Sequence, residues 1–219
     1  MNVPIPMTNA AFYSMDKTPL LKSAQAKIAR KYRIEIQQAE HLTKVPGAII
    51  LAVIFAESAG DEKIVSTAGA IGLMQLKTQT AHDTLVQENN FKRLSASEKD
   101  ILKKQLDKRL EAILTQQYLG QKLKVNNYSA NVITKEDLLN PAFNILVGSI
   151  YLGLLIDQHE EKGTLRLDKV ILRYNQGYFY KPKGNTIAQT LSIAKQRSGE
   201  AYEYVLKVVG KNGLLESQV

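Results

Sequence analysis

Apolar residues recur with the period of an α-helix along almost the whole chain, and the alternation typical of half-buried β-strands is scarce. None of the 219 residues is cysteine, so the fold must be held by packing without disulfides. The hydrophobic fraction, 44%, is enough for one good core. We therefore predict a mainly α protein built around one core.

Three prolines, at positions 4, 6 and 19, and the small polar residues between them predict an irregular arm over residues 1 to about 18. A packing helix is predicted from about Leu20 to Tyr32. Residues 1–42 are accordingly interpreted as an N-terminal arm with a packing helix, and residues 43–219 as the main domain.

A strongly apolar helix is predicted from Pro46 to about Ala59. Pro46 suits the first helical position, and Gly60 suits the residue just past the end. Its apolar character on nearly all sides predicts burial. Glu57 falls in the last turn, where the negative end of the helix dipole and the loss of water both raise the pKa of a carboxyl group. A structural ion pair and a catalytic acid are both compatible with this position.

The net charge of +8 makes an acidic polymer a plausible partner, such as nucleic acid, an anionic envelope surface or cell-wall material. Aromatic residues are few, tryptophan is absent and the basic residues are spread out, so nucleic acid is not expected as the primary ligand. The histidines lack the spacing of metal ligands, and we expect no metal and no cofactor. They are His41, His82 and His159.

The first eight residues lack the basic start and apolar stretch of a secretory signal, so export by that route is not expected. The longest apolar stretch, Ala48 to Ala56, is far shorter than the ~20 residues that span a bilayer. We expect a soluble protein without a membrane span.

Several motifs follow Glu57 in a fixed order. Glu57-Ser58 is followed by Ser66, by Gly72-Leu73-Met74-Gln75 and by Thr80-Ala81, and later by Asn140 to Ile145 with Gly148 and Tyr151-Leu152, by Tyr174-Asn175-Gln176-Gly177, and by Tyr204-Val205. This series resembles the soluble lytic transglycosylases, lysozyme-like enzymes that cleave peptidoglycan between N-acetylmuramic acid (MurNAc) and N-acetylglucosamine (GlcNAc). The resemblance implies a lysozyme-like lytic transglycosylase fold from about residue 43 onward.

The resemblance assigns the chemistry to Glu57 alone. Glu57 would protonate the bridging oxygen and then take the proton of the MurNAc C6 hydroxyl, which leaves a 1,6-anhydro sugar. No second carboxylate is needed for this scheme, and none occurs from Ser66 through Ala81. Asp61 and Glu62 are the nearest alternatives. They are interpreted as a solvated turn, and a water-positioning role for either would make the protein a hydrolase.

The same resemblance implies that Ser66 binds the substrate near an N-acetyl group and that Met74 and Gln75 form the floor of the cleft. Gly69 and Gly72 would let the chain turn tightly and bring backbone amides near the sugar.

Three further residues complete the implied site. Tyr174 and Asn175 would line the opposite wall, and Tyr204 would hydrogen-bond Glu57 and fix its orientation.

The segment from about 82 to 139 is longer than in typical relatives and is interpreted as a lengthened helical insertion. Ser97 to Leu106, continued by Leu110, Ile113, Leu114 and Tyr118, predicts one lysine-rich amphipathic helix with a serine suited to its cap. It is either a surface helix or a cleft wall whose lysines meet anionic stem peptides or wall polymers. Asn126 to Asn131 is expected to be an exposed loop.

The favoured hypothesis is a peptidoglycan lytic transglycosylase acting on glycan strands. The missing signal suggests a bacteriophage protein that is carried in the virion, with other virion proteins as partners, or released at host lysis to act on the bacterial periplasm and cell wall. Two alternatives stay open. One is a hydrolytic muramidase, and the other is a structural or wall-binding virion component with weak catalysis.

Overall fold

In the described part of the chain, the helices and one short ribbon make up the regular secondary structure. The structure, a computed structural model, describes residues 7–13, 15, 17–117 and 132–218. Its α-helices are α1 (Thr18–Lys31), α2 (Arg33–Thr43), α3 (Gly47–Ser58), α4 (Thr78–Asn90), α5 (Ala96–Leu106), α6 (Arg109–Leu114), α7 (Lys135–Leu139), α8 (Pro141–Asp157), α9 (Leu167–Gln176), α10 (Ile187–Arg197) and α11 (Gly199–Val209). The antiparallel ribbon pairs β1 (Glu160–Glu161) with β2 (Thr164–Leu165), and Glu160 lies opposite Leu165. The prediction of a mainly α protein is confirmed.

Helix α8 lies at the centre of the fold. From Phe143 to Ile156 nearly every residue is buried, and the helix packs against α2, α4, α7 and α9. A helix that is apolar all round has to be enclosed by others. Asn140 begins it with a side-chain bond to the backbone N–H of Phe143, at 3.2 Å.

Helix α3 is the second buried helix and brings Glu57 to the surface of the core. Ile49 through Ile54 are all buried. The helix ends at Ser58, and the chain then turns through Ala59 and Gly60, both at positive φ, as expected for a helix end. Pro46 is the N-cap and not the first helical residue as predicted, because its ψ of 132° is extended.

The N-terminal helices belong to the same core as the rest. Helix α1 agrees with the predicted packing helix to within two residues at each end. Helix α2 follows it directly and packs against α8, so the division predicted at residue 42 falls inside a core helix. Gln25 of α1 donates to the carbonyl of Leu214 and to the hydroxyl of Ser217, at 3.1 and 2.6 Å, which ties α1 to the C-terminal segment.

The described residues before α1, 7–13, 15 and 17, form no helix, and their backbone is bonded to the end of α11. Thr8 N–H donates to the carbonyl of Val209 at 3.2 Å, and Lys211 N–H donates to the carbonyl of Ala10 at 3.0 Å.

The predicted single helix after residue 97 is wrong, because the chain breaks at Asp107 into α5 and α6. Asp107 has φ 49° and ψ −129°, which no α-helix contains. The capping serine is Ser95, which forms a reciprocal capping box with Glu98. Tyr118 and the loop expected at Asn126 to Asn131 lie outside the described residues.

The two helices fix this segment to the core by their apolar faces, while Lys103 and Lys104 are exposed. The buried residues are Leu102, Leu106, Leu110 and Ile113. Arg109 of α6 holds Asp137 of α7 through both guanidinium nitrogens, at 2.5 and 2.9 Å. No helix in the described part of the chain is long and apolar enough to cross a membrane.

Candidate active site

A cleft of about 1120 Å³ opens at the C-terminal end of α3. Its walls come from the turn that follows α3, from α4, and from the end of α9 with the segment after it. Five of the predicted site residues line it together: Glu57, Ser66, Gln75, Tyr174 and Asn175. The cleft is larger than most small-molecule pockets, which favours a polymeric ligand.

Glu57 carries a carboxyl group with a raised pKa in this cleft. Burial raises the pKa of its carboxyl group from an ordinary value near 4.5 to about 7, against a hydrogen bond from Tyr204 and the positive charge of Lys207, which both lower it. Loss of water destabilises the charged carboxylate and leaves the neutral acid less affected. At neutral pH, Glu57 is therefore protonated in a large fraction of the molecules.

Tyr204 orients that carboxyl group. Its hydroxyl donates to Oε1 of Glu57, because α11 packs against α3 and brings together residues that are far apart in the chain. Burial raises the pKa of Tyr204 well above its ordinary value, so it stays a neutral donor. Tyr204 is not among the residues that line the cleft, so its contact is with the acid.

Ser58 anchors the helix end to the turn that forms the cleft floor. Its Oγ lies 2.8 Å from the carbonyl oxygen of Leu73 and 3.0 Å from that of Ile54, and it accepts the N–H of Gly60 at 3.1 Å. The serine that follows Glu57 thus fixes the distance between the acid and the Gly72–Gln75 turn.

Gly72 is required by close packing inside the protein. It has φ +74°, and a Cβ there would come within 2.5 Å of the carbonyl oxygen of Leu138 and 2.6 Å of Nδ2 of Asn144. The N–H of Gly72 donates to the carbonyl of Ile64 at 2.9 Å, so the amide of this glycine itself is used within the protein. Its close neighbours are α7 and α8.

The prediction that Met74 forms the floor of the cleft is wrong for its side chain. Its side chain is fully buried, and a Cβ on Gly148 would lie only 2.4 Å from its sulfur, so Met74 fills the space that this glycine leaves in α8. Its main chain still serves the site, since Tyr174 donates its hydroxyl to the Met74 carbonyl at 2.8 Å. Gln75, beside it, lines the cleft, with Nε2 bonded to the carbonyl of Gly72 at 2.9 Å.

Asn144 organises this turn and was missed by the sequence analysis. It is fully buried in α8, and its Oδ1 accepts the N–H of Met74 at 2.8 Å. Its Nδ2 donates to the carbonyls of Ile71 and Leu138, at 3.0 and 2.8 Å. The signal for it was a lone amide within the apolar run after Phe143.

Ser66 and Asn175 present polar groups from the two sides of the cleft. The Oγ of Ser66 accepts the N–H of Ala70 at 2.9 Å, which leaves its O–H to donate to a ligand. The Oδ1 of Asn175 accepts from Gln176 at 2.7 Å, and its amide N–H groups are suited to a ligand carbonyl.

The carboxylates nearest to Glu57 in sequence are not in the cleft. Asp61 accepts the N–H of Lys63. Glu62 accepts from the Tyr32 hydroxyl at 2.6 Å and from Lys31 at 3.0 Å, bonds that lower the pKa of Glu62. Neither residue is among those that line the cleft.

Three charged residues in the cleft wall were missed: Lys77, Asp83 and Glu200. Asp83 lies two positions beyond the carboxylate-free stretch that ends at Ala81, and its Oδ1 accepts from Gln79 at 2.6 Å. The available signal was a carboxylate in α4, just beyond that stretch.

Tyr178 and Phe179 form an aromatic wall that the sequence analysis also missed. Arg173 lies over the Tyr178 ring, 4.6 Å from its centroid, and donates to the Tyr178 carbonyl at 2.7 Å. Gln87 donates to the Tyr178 hydroxyl at 3.0 Å. Phe179 meets the Tyr178 ring edge-on at 5.2 Å and is 51% exposed. Adjacent aromatics directly after the Tyr174-Asn175 motif were the available signal.

Among the described residues no group of three or more histidine, aspartate or glutamate side chains is placed to hold a metal ion.

A mainly helical domain whose cleft holds a glutamate with a raised pKa, oriented by a tyrosine, has the arrangement that acid-catalysed glycan cleavage requires. Residues 35–103 match a family model described as the transglycosylase SLT domain. The match confirms, over this segment, the resemblance to the lytic transglycosylases. The match supports a lytic-transglycosylase-type function on peptidoglycan. It covers Glu57, Ser66 and Gln75 and extends into the segment interpreted as an insertion. No curated protein matches the chain significantly.

Proposed function

We propose that this protein cleaves the β-1,4 bond between MurNAc and GlcNAc in peptidoglycan and leaves a 1,6-anhydro-MurNAc end. The observation that carries the proposal is the Glu57 carboxyl group, which faces a polymer-sized cleft with a pKa of about 7. A group with this pKa can both give and take a proton near neutral pH.

The reaction then needs one side chain in two steps. The protonated Glu57 donates to the bridging oxygen as the bond from that oxygen to C1 of MurNAc breaks, and GlcNAc leaves with a new hydroxyl group. The C6 hydroxyl oxygen of the same MurNAc bonds to C1, and its proton passes to the Glu57 carboxylate. The acid is restored, and no water is consumed.

A hydrolytic muramidase remains the alternative, because a carboxylate other than Glu57 lines the cleft. Such an enzyme uses a second carboxylate to act as a nucleophile or to activate water. The positions of Asp61 and Glu62 argue against either of them, whereas Asp83 lines the cleft with Glu57. Glu200 also lines the cleft, so a hydrolytic mechanism would require Asp83 or Glu200.

Incubation of purified peptidoglycan sacculi with the protein tests the proposal. We expect soluble muropeptides with anhydro-MurNAc ends, identified by mass spectrometry after chromatographic separation. Reducing MurNAc ends that disappear in Asp83→Asn or in Glu200→Gln would establish the hydrolase. Bound protein without soluble fragments would support a structural wall-binding role.

The pH dependence of cleavage follows from the raised pKa of Glu57. Only the protonated carboxyl group can start the reaction, so kcat/KM is expected to fall as pH rises through about 7. Initial rates on soluble glycan strands between about pH 3.5 and pH 9 measure this limb, with circular dichroism at each pH as the control for folding. A limb near the ordinary carboxyl value of 4.5 would contradict the assignment.

Phe179 is expected to bind the glycan through its exposed ring. Phe179→Ala should raise KM by about 5- to 10-fold with a smaller change in kcat, because loss of one aromatic contact removes binding that the ground state and transition state share. Phe91 is the matched control, since it is 54% exposed but does not line the cleft. Steady-state kinetics of both alanine variants make the comparison, and an equal change in KM for the two would refute a role for Phe179.

A further inference from the structure

We propose that Lys207 is a positioning residue that sets the charge balance around Glu57 from behind the cleft. The inference rests on the proposed function in that Glu57 is the acid, and it adds a residue that contacts no substrate. Lys207 is partly buried and is not among the residues that line the cleft.

The geometry places Lys207 against the helix that carries the acid. Its Nζ donates to the carbonyl oxygen of Ala56 at 2.9 Å. Ala56 directly precedes Glu57 in the last turn of α3, where carbonyl groups run out of partners within the helix. Lys207 therefore caps a main-chain group at the residue next to the acid.

Lys207 works together with Tyr204, which lies three residues earlier on the same face of α11. Tyr204 holds the carboxyl group of Glu57, and Lys207 holds the backbone one residue away. Helix α11 thus bonds to the end of α3 at two adjacent residues. These bonds fix the position of the α3 main chain and the direction of the Glu57 side chain.

The charge of Lys207 opposes the effect of burial on the acid. Burial raises the pKa of Glu57, and the lysine lowers it. Reciprocally, burial lowers the pKa of Lys207, and Glu57 raises it. A cation at a helix C-terminus also offsets the negative end of the dipole. Without Lys207 the carboxyl group would hold its proton more tightly and would be a weaker acid toward the bridging oxygen.

Other titratable and charged groups lie around α3 and in the cleft wall. Tyr174 of α9 is kept neutral, because burial raises its pKa well above the ordinary value. Lys31 of α1 is bonded to Glu62, and Glu40 of α2 accepts a hydrogen bond at the opposite, N-terminal end of α3. The charged groups of the cleft wall are Lys77, Asp83 and Glu200.

The test is a carbon NMR titration of the Glu57 carboxyl group, assigned by its loss in Glu57→Gln. We expect a midpoint near 7 in the wild type, a rise of about one pH unit in Lys207→Met and Lys207→Gln, and a value near wild type in Lys207→Arg. Lys103→Met, which removes an exposed charge on α5, is the control for net charge and should not move the midpoint. The alkaline limb of kcat/KM should move with the titration.

An unchanged Glu57 midpoint in a folded Lys207→Met or Lys207→Gln protein would overturn the proposal. The glutamine variant keeps a donor for the Ala56 carbonyl, so it separates the lost charge from the lost hydrogen bond and serves if the methionine variant does not fold. The titration uses the protein without substrate, so its result is independent of whether sacculi are cleaved. A protein that shows the shift but releases no muropeptides would refute the proposed function and leave the role of Lys207 intact.

Discussion

Replacing Glu57 by glutamine is expected to lower kcat on peptidoglycan on the order of 1000-fold or more, because one side chain supplies both the acid and the base of the reaction. Glutamine has nearly the same shape and can still accept the hydrogen bond from Tyr204, so the cleft should keep its form. Release of muropeptides from sacculi measures the loss, and co-sedimentation with sacculi should show that binding persists.

The same variant should change the dependence of stability on pH. Glu57 has a raised pKa in the folded protein, about 7 against an ordinary value near 4.5. Folding therefore loses stability from this group as pH rises through that window. Glutamine has no proton to release. The Tm of Glu57→Gln relative to wild type should consequently increase between about pH 5 and pH 8, as measured by thermal melts.

Glu62→Gln is the matched control for the activity loss. Glu62 is a nearby carboxylate bonded to Tyr32 and Lys31 and does not line the cleft, so this variant should retain activity within a small factor. Comparable losses in Glu57→Gln and Glu62→Gln would contradict the assignment of the acid.

Replacing Asn144 by leucine is the second large effect that we expect, here on stability. The variant loses three buried hydrogen bonds, to Met74, Ile71 and Leu138, and leaves their backbone partners unsatisfied. At about 1 kcal/mol or more for each bond, with an added cost for the orphaned groups, the free energy of unfolding should fall by at least about 3 kcal/mol. Because these bonds fix the turn beside Glu57, activity should fall as well.

Urea denaturation measures the free energy of unfolding of Asn144→Leu and of Ser149→Ala, a control substitution in the same helix. Ser149 is also fully buried in α8, but its hydroxyl has no hydrogen-bond partner among the described residues. Ser149→Ala should therefore leave stability unchanged or slightly raised. A similar cost for both substitutions would mean that the turn does not depend on the Asn144 bonds.

The helix that carries Glu57 could be predicted because its signals are local. A long apolar run, a proline before it and a glycine after it fix α3 and put Glu57 in the last turn. The break at Asp107 could not be predicted in the same way. Leu106 and Leu110 keep helical spacing across it, and neither glycine nor proline marks the position.

The parts of the site that depend on distant contacts were the least accessible from the sequence. Met74 lies within the Gly72–Gln75 turn and is followed by a cleft residue. Only its contact with Gly148 shows that its side chain points into the core. Asn144 and Lys207 bond to residues 70 and 151 positions away. Their roles follow from the packing of α8 and α11, which no local pattern encodes.

We propose that the C6 hydroxyl of MurNAc, and not water, displaces GlcNAc from C1 under the control of Glu57. Digestion of sacculi in water enriched in heavy oxygen, followed by mass spectrometry of the new MurNAc ends, tests it directly. We expect anhydro ends without heavy oxygen, formed by the wild type and lost in Glu57→Gln. Heavy oxygen at C1 of reducing MurNAc ends would contradict it.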